Sequence, residues 1–160
     1  MNNLINTFLN NTYTTSDIKR RLVLLKAFIY SKFFGSQFNP EEFDQADQKW
    51  LQSLSEDFFK NFNQTNATMN LEKLDQELKK IPVLTIFIPF EMPPAQTMEL
   101  GIWVKQNLGS DIIFETRIDP DLIGGSAFSW KGVSKDYSLR QTISERRNEI
   151  LETFKGYVNV

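Results

Sequence analysis

The sequence predicts an α+β protein in which a small all-helical bundle precedes a C-terminal β-α-β-β-α domain. Apolar residues recur at helical spacing through roughly the first eighty positions. Beyond Pro82, short runs of branched and aromatic residues alternate with helical patterns instead. We therefore expect a helical bundle over residues 1–80 and an α+β domain over residues 81–160, with the boundary near residues 79–82.

The N-terminal half is predicted to contain three main helices after a short first one. Thr14 and Asp17 have the spacing of a capping box, and the apolar helix that follows ends at Gly35. Asn39 and Pro40 predict the start of the next helix. Its expected buried stripe is Phe43, Ala46, Trp50, Leu54, Phe58 and Phe62. The third helix is predicted from Leu71, Leu74, Leu78 and Ile81.

The C-terminal half alternates strand and helix patterns. Strands are predicted at residues 83–88, 111–118 and 127–130, and Pro94 and Ser138 suit the starts of two helices. Gly132 is expected to end the third strand. The positions expected to be buried in these two helices are Met98, Leu100, Ile102, Trp103 and Leu108 in the first, and Leu139, Ile143, Ile150, Leu151 and Phe154 in the second.

Composition excludes several classes of function. The 160 residues include no cysteine and no histidine, which rules out zinc sites built on those residues and Ser-His-Asp catalysis. The net charge of −2 argues against a nucleic-acid surface. The longest apolar run, residues 81–90, is about half of what a membrane span needs, and no signal peptide is read at the N-terminus. We expect a non-enzymatic protein without a metal or cofactor.

One stretch of the C-terminal half carries a motif. The sequence reads D-P-D-L-I-G-G, then a strand and a glycine turn, and then D-Y-S-L-R at the start of the last helix. This combined pattern resembles the C-terminal domain of the delta subunit of F-type ATP synthases, the family of the oligomycin-sensitivity-conferring protein, although Tyr137 stands where the family usually has glycine. The residues that carry the resemblance are Asp119, Pro120, Leu122, Ile123, Gly124, Gly125, Gly132, Asp136, Ser138 and Arg140.

The resemblance implies a peripheral-stalk subunit that joins the catalytic head to the stalk and resists the torque of the rotor. In that family the N-terminal domain binds the alpha subunits and the C-terminal domain binds the b-type subunit. It implies a location on the cytoplasmic face of the bacterial inner membrane, or the matrix side of an organelle membrane, with membrane contact only through the complex. From the excess of apolar residues in one helix, we expect a partner-binding groove formed by Ile18, Leu22, Leu25, Phe28, Ile29 and Phe33.

Alternatives remain for several of these residues. Gly124 and Gly125 could form a phosphate site, although a tight turn is favoured because no P-loop pattern accompanies them. The nearby aspartates could bind a metal, although turn and cap hydrogen bonds are favoured, and Arg140 could pair with Asp119 or Asp136. The whole chain could instead be a standalone adaptor, or a membrane-surface protein that uses the helix over residues 19–34. A third alternative is an enzyme that uses Asp or Glu, which would need a pocket with two converging carboxylates.

Overall fold

The computed structural model describes residues 2–158 and divides the chain into two compact units. The first, here called the helical unit, comprises Met1–Val83 and Met98–Phe114. The second, the sheet unit, comprises Leu84–Thr97 and Glu115–Val160. The α+β fold class is as predicted. No helix in the described part of the chain is long and apolar enough to cross a bilayer.

The helical unit contains five helices and most of a sixth. They are α1 (Asn2–Leu9), α2 (Thr15–Phe34), α3 (Gln45–Ser53), α4 (Glu56–Phe59), α5 (Ala67–Leu78) and α6 (Pro94–Asn107). The predicted capping box is present: the Thr14 hydroxyl accepts from the Asp17 N–H at 3.1 Å, and the Asp17 carboxylate accepts from the Thr14 N–H at 3.0 Å. Gly35 ends α2 in the left-handed conformation.

The core of the helical unit combines apolar side chains from α1 to α5. Phe8, Leu25, Ile29 and Leu74 are fully buried at its centre. Phe8 packs edge-to-face on Trp50, with ring centroids 4.9 Å apart. The indole N–H of Trp50 donates to the Phe8 carbonyl at 3.2 Å, so this aromatic pair also ties α3 to the end of α1.

The single long helix expected after Pro40 is instead three short segments. Residues Pro40–Glu42 form one 3-10 turn, and α3 and α4 follow as separate helices. The Ser55 hydroxyl accepts from the Phe58 N–H and starts α4 afresh. Trp50, Leu54, Phe58 and Phe62 are nevertheless buried as predicted, whereas Ala46 is exposed.

Helix α6 explains why the division of the chain differs from a simple boundary near residue 80. Gly101 lies so close to Tyr13 that a Cβ at this position would overlap the tyrosine side chain. Val104 is buried, and Lys105 reaches the Leu9 carbonyl. These contacts place residues 98–114 in the helical unit.

The predicted burial of α6 was wrong. Its buried residues are Gly101 and Val104. Met98, Ile102 and Trp103, together with Leu108 just after the helix, are 37–53% exposed, and Leu100 is half-buried. The pattern was misread because a glycine, which has no apolar side chain, forms the contact face of this helix.

Four strands form one sheet in the order β2-β1-β3-β4. They are β1 (Val83–Ile88), β2 (Ile113–Ile118), β3 (Ala127–Trp130) and β4 (Val133–Asp136). β3 pairs antiparallel with both β1 and β4, with Ile86 opposite Phe128 and Trp130 opposite Val133. β4 was not predicted, because Lys131–Gly132 was read as the end of a strand and proved to be the turn of a hairpin.

The last predicted helix is broken into α7 (Leu139–Glu145) and α8 (Arg147–Val158). The hydroxyl of Ser138 accepts from the Gln141 N–H at 3.3 Å and caps α7, as expected. Leu139, Ile143, Leu151 and Phe154 are exposed and Ile150 is half-buried, which contradicts the burial predicted for these five residues.

Candidate functional site

The first half of the motif, D-P-D-L-I-G-G, is a turn that ends β2. The Asp119 N–H donates to the Ile88 carbonyl at 2.8 Å, which fixes the turn to the end of β1. The Asp119 side chain accepts from the Asp121 N–H at 3.0 Å, an Asx turn that Pro120 accommodates because it needs no donor. Leu122 is buried, whereas Ile123 is 60% exposed.

The second half of the motif folds back onto the first. The Leu139 N–H donates to the Gly124 carbonyl at 3.1 Å, and the Tyr137 N–H donates to the Ser126 carbonyl at 3.0 Å. Gly125 has a φ of +77°, and a Cβ at this position would stand 2.5 Å from the Tyr137 carbonyl oxygen. The glycine pair therefore forms a tight turn against the start of α7.

Asp136 and Ser138 complete this junction. The Ser138 N–H donates to the Asp136 carboxylate at 2.7 Å, and Ser138 is fully buried. Hydrogen bonds from the hydroxyl and the N–H of Ser138 lower the pKa of Asp136. Among the described residues Arg140 forms no ion pair with Asp119 or Asp136, so the charged tie considered for it is not formed.

The hydrogen bonds at this junction hold the backbone in place. The carboxylates of Asp119 and Asp136 each accept a backbone N–H of a nearby residue. Over residues 2–158, no three Asp or Glu side chains come together in a group that could hold a metal ion. The motif residues serve to hold the β2–β3 connection, the end of β4 and the first turn of α7 in one arrangement.

The sheet unit leaves many of its large apolar side chains exposed. Only three of its described apolar side chains are buried: Leu84, Ile88 and Leu122. Nine large ones are more than 40% exposed: Phe90, Ile118, Ile123, Val133, Tyr137, Leu139, Ile143, Leu151 and Phe154. The sheet unit therefore leaves more large apolar side chains exposed than it buries.

The residues predicted to form a groove on α2 lie mainly inside the helical unit. Ile18, Leu22, Leu25 and Ile29 are at most 8% exposed and belong to its core. Phe28 and Phe33 are half-buried against the same core. The chain's own packing thus accounts for this apolar stripe, and the parts of α2 that a partner could reach are Val23 and Phe34, which are 59% and 48% exposed.

The basic residues at the start of α2 are held by a buried aspartate that was not identified from the sequence. Asp47 is 2% exposed; its carboxylate accepts from Arg20 Nε at 2.8 Å and from Arg21 Nε at 3.1 Å. Arg21 also donates to the Asn11 carbonyl and the Thr12 hydroxyl. Because Arg21 is engaged inside the unit, this cluster is poorly suited to face a lipid surface.

Lys105 is the second cation at the turn between α1 and α2. Its ammonium donates to the Leu9 carbonyl and lies 5.6 Å from the centroid of the Tyr13 ring. Burial, with a smaller contribution from the charge of Arg21, lowers the pKa of Lys105 to about 8. This lysine docks α6 onto the α1–α2 turn at an electrostatic cost.

Comparison with known proteins adds no relative. No protein-family model matches the chain, and no curated protein matches it.

Proposed function

We propose that this chain is a stator subunit of a rotary F-type ATP synthase, which links the catalytic head to the b-type subunit of the peripheral stalk. The observation that carries the proposal is the junction between Gly125 and Tyr137. Two sequence segments that together resemble the delta-subunit motif, and are separated by β3 and β4, meet there in space.

The proposed work of each unit follows from its surface and its interior. The sheet unit offers exposed apolar residues and would receive the end of the b-type subunit. The helical unit has the larger core and would hold the N-terminal segments of the alpha subunits. A stator must resist torque without yielding, and a densely packed core supplies that stiffness.

The proposed role involves no bond-making and no cofactor. The protein would transmit force between other chains and would sit at the membrane only through the assembled complex. Its place would be the cytoplasmic face of a bacterial inner membrane, or the matrix side of an organelle membrane.

Affinity capture from native membranes, followed by mass spectrometry, tests the proposal. The tagged chain is expected to recover alpha, beta and b-type subunits together. The double variant Leu151→Asp, Phe154→Asp should lose the b-type subunit, because two carboxylates would replace exposed apolar contacts. Glu152→Gln, an exposed change elsewhere on α8, is the matched control and should recover the same subunits as the unaltered chain.

Failure to recover any ATP synthase subunit under conditions that preserve the complex would refute the proposal. Recovery of a different, defined set of proteins would favour the standalone adaptor. A coupling assay adds a functional measurement. Membranes stripped of this subunit should hydrolyse ATP but pump few protons, and adding the chain back should restore pumping without changing the ATPase rate of the isolated head.

A further inference from the structure

The two C-terminal helices share an arrangement of charge around their apolar residues. In α7, Leu139 and Ile143 are 50% and 42% exposed. At about 100° per residue they lie about 40° apart on the helix surface. In α8, Ile150 is half-buried, and Leu151 and Phe154 are 45% and 63% exposed. These three lie within an arc of about 100°.

The basic residues border or interrupt these apolar stripes. On α7, Arg140 lies about 80° from the centre of the stripe, and Arg146, at the end of the helix, lies about 40° from it. On α8, Arg147 lies within the stripe itself and Lys155 lies about 40° beyond its edge, about 90° from the centre. All four side chains belong to exposed residues.

The acidic residues occupy the opposite side of each helix. Glu145 lies about 140° from the centre of the α7 stripe, and Glu149 and Glu152 lie about 150° from the centre of the α8 stripe. Among the described residues, Arg140, Arg146 and Arg147 make no ion pair within 4.0 Å. The exposed Lys155 pairs with Glu152 at 3.0 Å, a contact of low energy that a partner can replace.

We propose that α7 and α8 bind an amphipathic helix whose apolar stripe is flanked by aspartate or glutamate. A partner that covers the apolar stripe must also cover Arg147. An arginine desolvated without a carboxylate partner is strongly unfavourable, whereas a paired one adds specificity and speeds association. The proposal rests on the proposed function in one respect, namely that the partner is a helix, as the stalk subunit would be.

The charge of the whole sheet unit favours a discrete partner over a lipid surface. The unit contains eight acidic and seven basic residues, so its net charge is close to zero. A protein binds an anionic membrane through positive charges that lie within a Debye length, about 8 Å, of the lipid surface. Such binding needs a cluster of basic residues. A helix with acidic flanks can instead pair locally with Arg146 and Arg147 while it avoids the acidic side.

Two synthetic helical peptides test the proposal against the full-length chain. They have identical apolar stripes and differ only in having glutamate or lysine at every flanking position. Fluorescence anisotropy is expected to show at least tenfold tighter binding of the glutamate-flanked peptide. Its affinity should fall when the salt concentration is raised from 50 to 500 mM.

Charge-reversal variants locate the effect. Arg146→Glu, Arg147→Glu should reverse the preference towards the lysine-flanked peptide. The control Glu149→Lys, Glu152→Lys reverses as many charges on the opposite side and should retain the original preference. Circular dichroism on each variant confirms that the helices persist.

Equal binding of the two peptides, or an unchanged preference in the arginine variant, would overturn the proposal. So would co-sedimentation with vesicles containing phosphatidylglycerol when neither peptide binds. The outcome is separable from that of the proposed function. Acidic-peptide binding without capture of ATP synthase subunits would leave this inference standing and remove the stator role. Capture of those subunits without any charge preference would support the stator role and overturn this inference.

Discussion

The helical unit and the sheet unit differ in how much apolar surface they enclose. Among the described residues, the helical unit buries 21 apolar side chains and leaves seven large ones exposed, whereas the sheet unit buries three and leaves nine exposed. Both units use capped helices and fully formed turns. The difference therefore lies in tertiary packing and not in local structure.

This contrast separates stability from recognition within one short chain. The helical unit has a core large enough to offset the conformational entropy lost on folding. The sheet unit gains little from burial, and its order depends more on hydrogen bonds and on the turn at Gly125. Its exposed apolar residues remain available to stabilise a complex.

The largest expected effect of a substitution is at the buried charge of the helical unit. Asp47→Ala should lower the free energy of unfolding by about 3–5 kcal/mol, because it leaves Arg21 buried without its carboxylate. Asp57→Ala, which removes the carboxylate of an exposed pair with Lys60, should cost less than about 1 kcal/mol. Urea unfolding measures the loss of stability in both variants. Equal losses would show that the buried ion pair stabilises the fold no more than the exposed one.

Leucine-to-alanine substitutions, one in each unit, measure the difference in apolar burial between the helical unit and the sheet unit. Leu25→Ala should cost about 2–5 kcal/mol because Leu25 is fully buried in the helical unit. Leu151→Ala in the sheet unit should change stability by no more than about 0.5 kcal/mol, since Leu151 is 45% exposed. A large loss for Leu151→Ala in the isolated chain would mean that α8 is packed in solution and that the contrast is false.

Alanine substitutions at Gly124 and Gly125 distinguish the cost of a strained backbone from the cost of steric crowding in the sheet unit. Gly124 and Gly125 both have positive φ, but only a Cβ at position 125 would meet a neighbour. Gly124→Ala should cost about 1–2 kcal/mol from the left-handed backbone alone. Gly125→Ala should cost about 1–3 kcal/mol more because it also crowds the Tyr137 carbonyl, and Gly125→Val should disrupt the unit.

Fluorescence of Trp130, the tryptophan of the sheet unit, reports on this unfolding. Similar melting of the two alanine variants would show that Tyr137 does not crowd Gly125. An unchanged melting profile for Gly125→Val would show that the turn is unstrained.

The smallest expected effect is a pH dependence that belongs to the helical unit. The pKa of Lys105 is about 8 in the folded chain and about 10.4 for an unfolded lysine. Between these values the unfolded chain binds more protons, so the free energy of unfolding should rise as the pH increases from about 8 to 10. Because the side chain is partly solvated, we expect a gain of about 1 kcal/mol.

Lys105→Met should remove this rise in stability, and Lys60→Met, at an exposed lysine, should keep it. Guanidinium unfolding at a series of pH values provides the comparison. Identical pH profiles for the unaltered chain and Lys105→Met would contradict the assigned pKa.

Local patterns predicted much of the fold because their causes lie within a few residues. The capping box at Thr14, the end of α2 at Gly35, the cap at Ser138 and the strand at residues 83–88 depend on hydrogen bonding, backbone freedom and side-chain shape near each position. The glycine pair of the motif also forms the tight turn that the sequence favours, with positive φ at both positions.

Burial was less predictable because it depends on what packs against each face. The apolar spacing of α6, α7 and α8 matched that of buried helices, yet their larger side chains are mostly exposed. Conversely, nothing in the local sequence distinguishes Asp47 from an exposed helical aspartate. It is buried because α2 brings Arg20 and Arg21 against it from 27 and 26 residues away.

The sequence by itself determined the helical first half, three of the four strands, the helix ends at Thr14, Gly35 and Ser138, and the absence of histidine and cysteine chemistry, since each follows from residue identity or from close neighbours along the chain. Only the tertiary structure decided which apolar faces are enclosed and which stay open. That outcome depends on contacts between distant segments, and an apolar stripe has the same sequence pattern whether its own chain or another one covers it.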